Sequence, residues 1–370
     1  MADVNLTENR FFNRLDEINM LSSLLKSTES NLAPTILLNG IWGIGKTSLI
    51  KEIEKKFNKE YLVVNIDLSR TDEYQQKNLT KSSLIKVIYD AIIKSSKKFG
   101  LKTIDKQLDE FFKTNGFKLD EILSYNYISE NEEKLVNLAG KLPQKIYENN
   151  KDKLKGVFIF IDEIHLINDL NLLGSFIQKQ KNVAYLFCGN MEDSSINDLN
   201  GAFGGRMLTI EIQPFLKETT KNYIESLAKN IKFDDGGFER FYMCTRGIPY
   251  YINIFAKFLP ENIVLTENNV IELFKNSIDH LAIHFIFMWD KLTFQEQRII
   301  TFLIEKPLKR IEIASSLEVT SGSLNRPLNR LMNFDLIEYE VDKYQITDPI
   351  LAYWLKNSYE KNGVYPFRSF

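Results

Sequence analysis

The apolar run Thr35-Ile36-Leu37-Leu38-Asn39 leads directly into Gly40-Ile41-Trp42-Gly43-Ile44-Gly45-Lys46-Thr47. A stretch with Leu49, Ile53 and Phe57 spaced four apart follows. Buried strand, glycine-rich loop and helix in that order restrict the fold more than any other segment, because the loop matches Gly-x4-Gly-Lys-Thr/Ser without exception. The pattern has a physical basis. A triphosphate is held by several converging backbone N–H groups, so side chains must be missing where the chain wraps closest. Gly40 and Gly45 meet that need, and Gly43 adds room. Lys46 is expected to reach the β- and γ-phosphates, and the Thr47 hydroxyl to bind Mg²⁺. Trp42, Ile44 and Ser48 complete the loop's contact set. The helix from Ser48 to Phe57 would aim its N-terminus at the phosphates.

A loop of this kind needs an acidic partner, and Val157-Phe158-Ile159-Phe160-Ile161-Asp162-Glu163 supplies one at the end of a second apolar run. Mg²⁺ is a hard octahedral ion that keeps several waters. Asp162 is placed to hold one of those waters, and Glu163 to orient or deprotonate the water that attacks the γ-phosphate. An acidic pair at a strand end also serves as a helix cap elsewhere, but here it follows an intact phosphate loop. Asn190 closes the next apolar run, Val183 to Gly189, where its amide would fix the attacking water or touch the γ-phosphate; it also reads as a turn residue. Arg206, in Gly204-Gly205-Arg206, has two readings: a cation for the γ-phosphate of a neighbouring subunit, or a structural ion pair.

Apolar strands alternating with helices over residues 1–215 indicate a parallel sheet covered on both faces. A Lys-rich helical insert occupies about 70–155, with 17 Lys/Arg against 13 Asp/Glu, an excess that fits a solvated face. Near the N-terminus Ile18, Leu21 and Leu25 share one helix face, with Asn13 as the expected cap. After Pro214 the pattern is helical, giving a helical lid domain over 216–288. Its helices are expected at Lys217–Ile231, Phe238–Cys244, from Pro249, and as one long helix Thr266–Trp289. A winged-helix domain is expected over 289–357. It has a Thr293–Glu296 capping box, helices at Ile311–Leu317 and Ser323–Phe334, and a hairpin turning at Val341-Asp342. Asp348-Pro349 restarts a closing helix, and 358–370 reads as a tail.

A chain of 370 residues exceeds one ordinary domain, and a formal charge of −2 argues against a globally basic nucleic-acid or membrane binder. Cys188 and Cys244 form no CxxC motif, which points to a reducing compartment and away from a zinc site. His280 and His284, four apart, lack an acidic or cysteine partner for a metal. No basic, then apolar, leader opens the chain, and no apolar run is long enough for a membrane span, so a cytoplasmic protein without membrane attachment is expected.

Taken together, these segments resemble the archaeal-type ATPases, a STAND branch of the AAA+ P-loop proteins. The resemblance rests on Phe12-Asn13-Arg14, the phosphate loop, the Asp162-Glu163 strand and Phe187-Cys188-Gly189-Asn190. It extends through the Arg206 segment running to Phe215, Arg246-Gly247-Ile248-Pro249-Tyr250, and the module from Trp289 to Asp348-Pro349. It implies a sheet of order 5-1-4-3-2, ATP and Mg²⁺ as cofactors, Arg14 near the adenine, and Pro249 approaching the nucleotide. Arg246 stands where AAA+ proteins often carry a second sensor arginine, although this family more often has glycine there. It reads as a nucleotide contact or as an exposed charge. Base choice between ATP and GTP stays open.

The implied activity is slow, regulatory ATP hydrolysis by a switch that forms a homo-oligomer or recruits a partner protein. The alternative is a DNA-binding initiator or loader. In that case Ser323, Asn325, Arg326, Asn329 and Arg330 would face the duplex. The nine basic and ten acidic residues of 289–357 give this module no positive charge for phosphate contacts. Pro327 is also expected to interrupt the helix that would carry them.

Overall fold

A computed structural model of the chain describes residues 11–70, 81–101, 104–118, 132–167, 174, 180–191, 193–227, 230–260 and 262–366. Parts of the expected insert (71–80, 102–103, 119–131), positions 228–229 of the helix expected to reach Ile231, and 367–370 of the tail lie outside them. The described chain forms two compact units: residues 13–40 with 45–212, and residues 11–12 and 41–44 with 213–366.

The first unit is built on five parallel strands: β1 (Thr35–Asn39), β2 (Leu62–Asp67), β3 (Val157–Asp162), β4 (Val183–Gly189) and β5 (Met207–Glu211). Their order is β2-β3-β4-β1-β5, which is the expected 5-1-4-3-2. Every residue of β1, β3 and β4 is buried, as the unbroken apolar runs require of strands covered on both faces. The register aligns Asn39 with both Gly189 and Glu211, and Asp67 with Asp162. The carboxyl ends of all the strands therefore face one edge, where open α/β sheets bind ligands.

Helices α1 (Leu15–Lys26), α2 (Lys46–Phe57), α3 (Lys81–Phe99), α4 (Ile104–Thr114), α5 (Glu132–Asn149) and α6 (Asp193–Ala202) complete the unit. Leu84, Ile88, Leu108, Leu135 and Leu142 join the core of Val64, Ile159 and Phe187, so the Lys-rich insert is integral to the sheet's packing. Asn13 does not cap α1. The N-cap is Arg14 in the left-handed region (φ 71°), and no side chain caps the helix. Asn13 is itself left-handed at φ 57°, a conformation in which it directs the chain instead of its own side-chain oxygen.

The second unit carries α7 (Lys217–Leu227), α8 (Asp235–Thr245), α9 (Pro249–Ala256), α10 (Glu267–Ser277) and α11 (Ala282–Asp290). It continues with α12 (Phe294–Glu305), α13 (Arg310–Leu317), α14 (Asn325–Asn333), the antiparallel hairpin β8 (Ile337–Glu340) and β9 (Lys343–Ile346), and α15 (Pro349–Asn362). One continuous core runs from Phe215 and Phe241 through Phe285, Trp289 and Ile300 to Leu351 and Leu355. The segments 216–288 and 289–357 thus share their interior.

Several local expectations shift. The helix expected over Thr266–Trp289 is broken by a 3-10 turn at Ile278–Leu281, which buries Ile278 and Leu281. A two-residue parallel ribbon, β6 (Lys232–Phe233) with β7 (Val264–Leu265), brackets α8 and α9. Pro327 does not interrupt α14: a 3-10 turn covers Ser321–Leu324, the helix starts at Asn325, and the proline lies in its first turn, where its missing N–H costs no hydrogen bond. α15 runs to Asn362 and ends at Gly363 (φ 72°), so the tail starts later than 358. The Thr293–Glu296 capping box forms in full.

Candidate nucleotide site

The phosphate-loop chemistry assembles at the carboxyl edge of the sheet. Gly45, at φ 101°, is the N-cap of α2, and no acidic residue occupies that helix's first turn. A helix N-terminus without an acidic side chain in its first turn is suited to an anion. The Lys46 ammonium donates to the Gly40 carbonyl at 2.6 Å, holding the lysine back across its own loop. Burial lowers the Lys46 pKa, while the charges of Glu163 and Asp162 oppose that fall. Cys188, beside it, is a buried thiol whose pKa burial pushes well up.

The Thr47 hydroxyl donates to Asp162 Oδ2 at 2.6 Å, which joins the start of α2 to the end of β3. Asp162 Oδ1 accepts from the Glu163 backbone N–H at 3.0 Å. Burial raises the Asp162 pKa, the two hydrogen bonds pull it down, and the carboxylate of Asp67 at the end of the neighbouring strand raises it again. A hydroxyl and a carboxylate this close form a pair of hard oxygen donors, the set that Mg²⁺ accepts alongside phosphate oxygens and water. Among the described residues no group of three or more His, Cys, Asp or Glu forms a metal cluster. Glu163 follows directly in the left-handed region (φ 61°, ψ 41°), a backbone state that costs a non-glycine residue energy and is concentrated at functional sites.

Asn190 lies one residue past β4 and is partly exposed. Its neighbourhood is held by Asn39, a residue not singled out by sequence. Asn39 Nδ2 donates to the Met191 carbonyl at 3.2 Å and to Glu211 Oε1 at 3.0 Å, and its Oδ1 accepts from Met191 N–H at 2.9 Å. One side chain therefore ties the ends of β1, β4 and β5 together beside the loop. The signal was available: like Asn190, Asn39 is a polar residue closing an apolar strand.

Arg206 is exposed immediately before β5. Met207 is in register with Thr35, so Arg206 sits at the amino edge of the sheet, a full strand length (roughly 17 Å) from Gly40 at the carboxyl edge. Arg14 is buried and pairs with Glu17 at 2.9 Å. Arg246 is neither a lone nor an exposed charge: its Nη2 meets Asp335 Oδ2 at 2.8 Å, joining the end of α8 to the turn before β8. Pro249 occupies the first turn of α9. Ile44 is fully buried, Ser48 exposed, and Trp42 and Gly43 pack within the second unit. His280 stacks on Phe258 and His284 on Trp42.

A family model described as an ATPase domain predominantly from Archaea matches residues 11–255, which contain the whole of this loop, strand and acidic set. The chain belongs to that family. It thus carries that family's P-loop ATPase domain. A curated relative, an uncharacterised ATP-binding protein of Pyrococcus abyssi (strain GE5 / Orsay), is 25% identical over 228 residues, covering 58% of this chain and 61% of that protein. The chain therefore spans about three-fifths of the curated relative it matches. Among solved structures, a Walker-type ATPase of Pyrococcus abyssi aligns with TM-score 0.60 at 17% identity, covering 94% of this chain and 96% of the other, a likeness of fold. Cdc6p of Pyrobaculum aerophilum aligns at 11% identity with TM-score 0.46, covering 96% and 99%. A RuvB variant of Thermotoga maritima aligns at 15% with TM-score 0.45 over all of both chains. No helix among the described residues is long and apolar enough to cross a membrane.

Proposed function

We propose that this ATPase is a Mg²⁺-dependent, slowly hydrolysing cytoplasmic switch whose nucleotide state controls assembly with further copies of itself or recruitment of a partner protein. Thr47 and Asp162 would hold the metal, which neutralises charge on the phosphates when bound. Lys46 and the N–H groups at the start of α2 orient the triphosphate. Glu163 takes the proton of the attacking water, and Asn190 positions that water. Arg14, Arg246 and Pro249 are carried as nucleotide contacts on the family resemblance. The observation that carries self-assembly is the place of Arg206. It is exposed a strand length from its own loop, so a γ-phosphate it stabilises belongs to another copy.

Mass by light scattering tests this, without nucleotide, with ADP, and with ATP and Mg²⁺ on Glu163→Gln protein to prevent turnover. Growth in mass with ATP alone, lost in Arg206→Ala, supports the reading; a monomer in all three states removes self-assembly and leaves the partner protein.

A DNA-binding initiator or loader is the second reading, favoured by the helix-helix-helix-hairpin order of 294–346. Its proposed contact residues are partly engaged already. Arg330 pairs with Glu296 at 3.2 Å and donates to the Lys291 carbonyl at 3.1 Å. Asn325 accepts from Arg310, and Ser323 donates to the Thr320 carbonyl at 2.7 Å. Titration of duplex and single-stranded DNA at low salt with ATP present decides it: no binding eliminates this reading.

A further inference from the structure

The tip of the phosphate loop belongs to a different unit from its two ends. Residues 41–44 pack with 213–366, whereas Gly40 and Gly45 pack with the sheet. Four contacts hold the tip. Ile41 lies against the core of the second unit. The Tyr250 backbone N–H donates to the Gly43 carbonyl at 3.2 Å. The Tyr250 ring meets Trp42 edge-on, with centroids 4.3 Å apart. The His284 ring lies flat on Trp42, with centroids 3.5 Å apart and planes 16° from parallel.

The fit is specific. Gly43 stands at φ 78°, and a Cβ there would come within 2.8 Å of Tyr250 Cβ and 3.3 Å of Ile248 Cγ2. Glycine at this position is thus demanded by the start of α9 as well as by a phosphate. His284 is buried, with Tyr250, Tyr251 and Phe285 closing round it at 5.4, 6.2 and 5.2 Å. Trp42 keeps 42% of its surface in solvent despite the stack. A side chain that wet is not filling a core, so an aliphatic neighbour would serve packing equally well; a flat ring face is what orients an indole.

We propose that His284 is a positioning residue for the phosphate loop: by stacking on Trp42 it sets the conformation of residues 41–44, and nucleotide occupancy is transmitted through that stack to α11. This rests on the loop binding ATP. The same stack that fixes the loop before ATP arrives must respond when the loop tightens on phosphate, because coupling between two sites is reciprocal.

The test compares His284→Phe, which keeps a flat ring, with His284→Leu, which keeps apolar volume and loses the face. KM for ATP rises about tenfold in the Leu variant and stays within about twofold in the Phe variant, with kcat of both within about twofold of wild type. Equal KM values for Leu, Phe and wild type would overturn the proposal. A second measurement needs no His284 variant. Hydrogen exchange across 282–290 slows when ATP and Mg²⁺ bind to Glu163→Gln protein, and the slowing disappears when Trp42→Ala is added. Lys46→Ala is the control. If the protein carrying Lys46 binds no ATP, the nucleotide reading itself fails. If ATP binds while exchange in α11 stays unchanged, only the role of His284 fails.

Discussion

At the residue scale, Glu163 combines a left-handed backbone with a position directly after Asp162, the carboxylate proposed to hold the metal. In its proposed role on the water proton, it should be dispensable for binding. Glu163→Gln is expected to lower single-turnover phosphate release about 100-fold or more while leaving ATP affinity within about twofold. Gly247 makes a different demand. At φ 67° a Cβ would lie 2.0 Å from the Phe215 carbonyl oxygen, whose N–H donates back to Gly247 at 2.9 Å. Gly204 has nearly the same φ, 65°, with nothing within 4 Å. Gly204→Ala should therefore cost only the left-handed strain, about 1 kcal/mol. Gly247→Ala should cost that plus a backbone clash, about 3 kcal/mol in all. Urea unfolding of the two variants separates the contributions.

At the element scale, α12 and α14 are joined by one buried acid. Glu296, 3% exposed, receives the Thr293 N–H in the capping box at 2.7 Å and also pairs with Arg330, itself 32% exposed. Removing the arginine leaves a buried carboxylate with only its cap. Arg330→Ala is expected to destabilise the second unit by about 2 kcal/mol, below the range for a fully buried pair because of the solvent on the arginine; thermal unfolding measures it.

Helix α11 carries a pH effect. Burial, with a smaller push from the Lys291 charge, lowers His284 from its ordinary 6.5 to about 3. Between those values the unfolded chain binds a proton at this site that the folded chain refuses, so the contribution to stability is whole above pH 6.5 and drains away as pH falls toward 3. The slope reaches at most about 1.4 kcal/mol per pH unit. His284→Phe should flatten the fall in melting temperature between pH 6.5 and 4; an unchanged slope would show that His284 does not carry it.

At the scale of the whole molecule, legibility in the sequence followed the range of the interactions involved. Strands β1, β3 and β4 could be read because Ile36, Leu37 and Leu38, like the runs of β3 and β4, are apolar on both faces. The loop and Asp162 could be read because phosphate chemistry fixes their residue types. The strand order came from resemblance, since no local pattern states which strands pair. The break at 278–281 carries no glycine or proline and arises from burying Ile278 and Leu281 in a core shared with α15. Asn39 closes its strand as visibly as Asn190 does, but its tie to Met191 and Glu211, more than 150 residues away, is not written locally. Arg246 was read without Asp335 for the same reason.

The strand that carries the phosphate loop is the fourth in the sheet's spatial order and the first to be made. Residues 35–39 pair on one side with 185–189 and on the other with 207–211. On a ribosome, β1 and its glycine loop are finished while both neighbours are still untranslated. At typical elongation speeds they stay unflanked for on the order of 10–30 s. The apparatus for gripping ATP is therefore made before either strand that flanks it and becomes competent only after both. A nascent chain stalled before Met207 has cleared the exit tunnel would present β1 with an open edge. During synthesis, nucleotide capture would report that the sheet has closed.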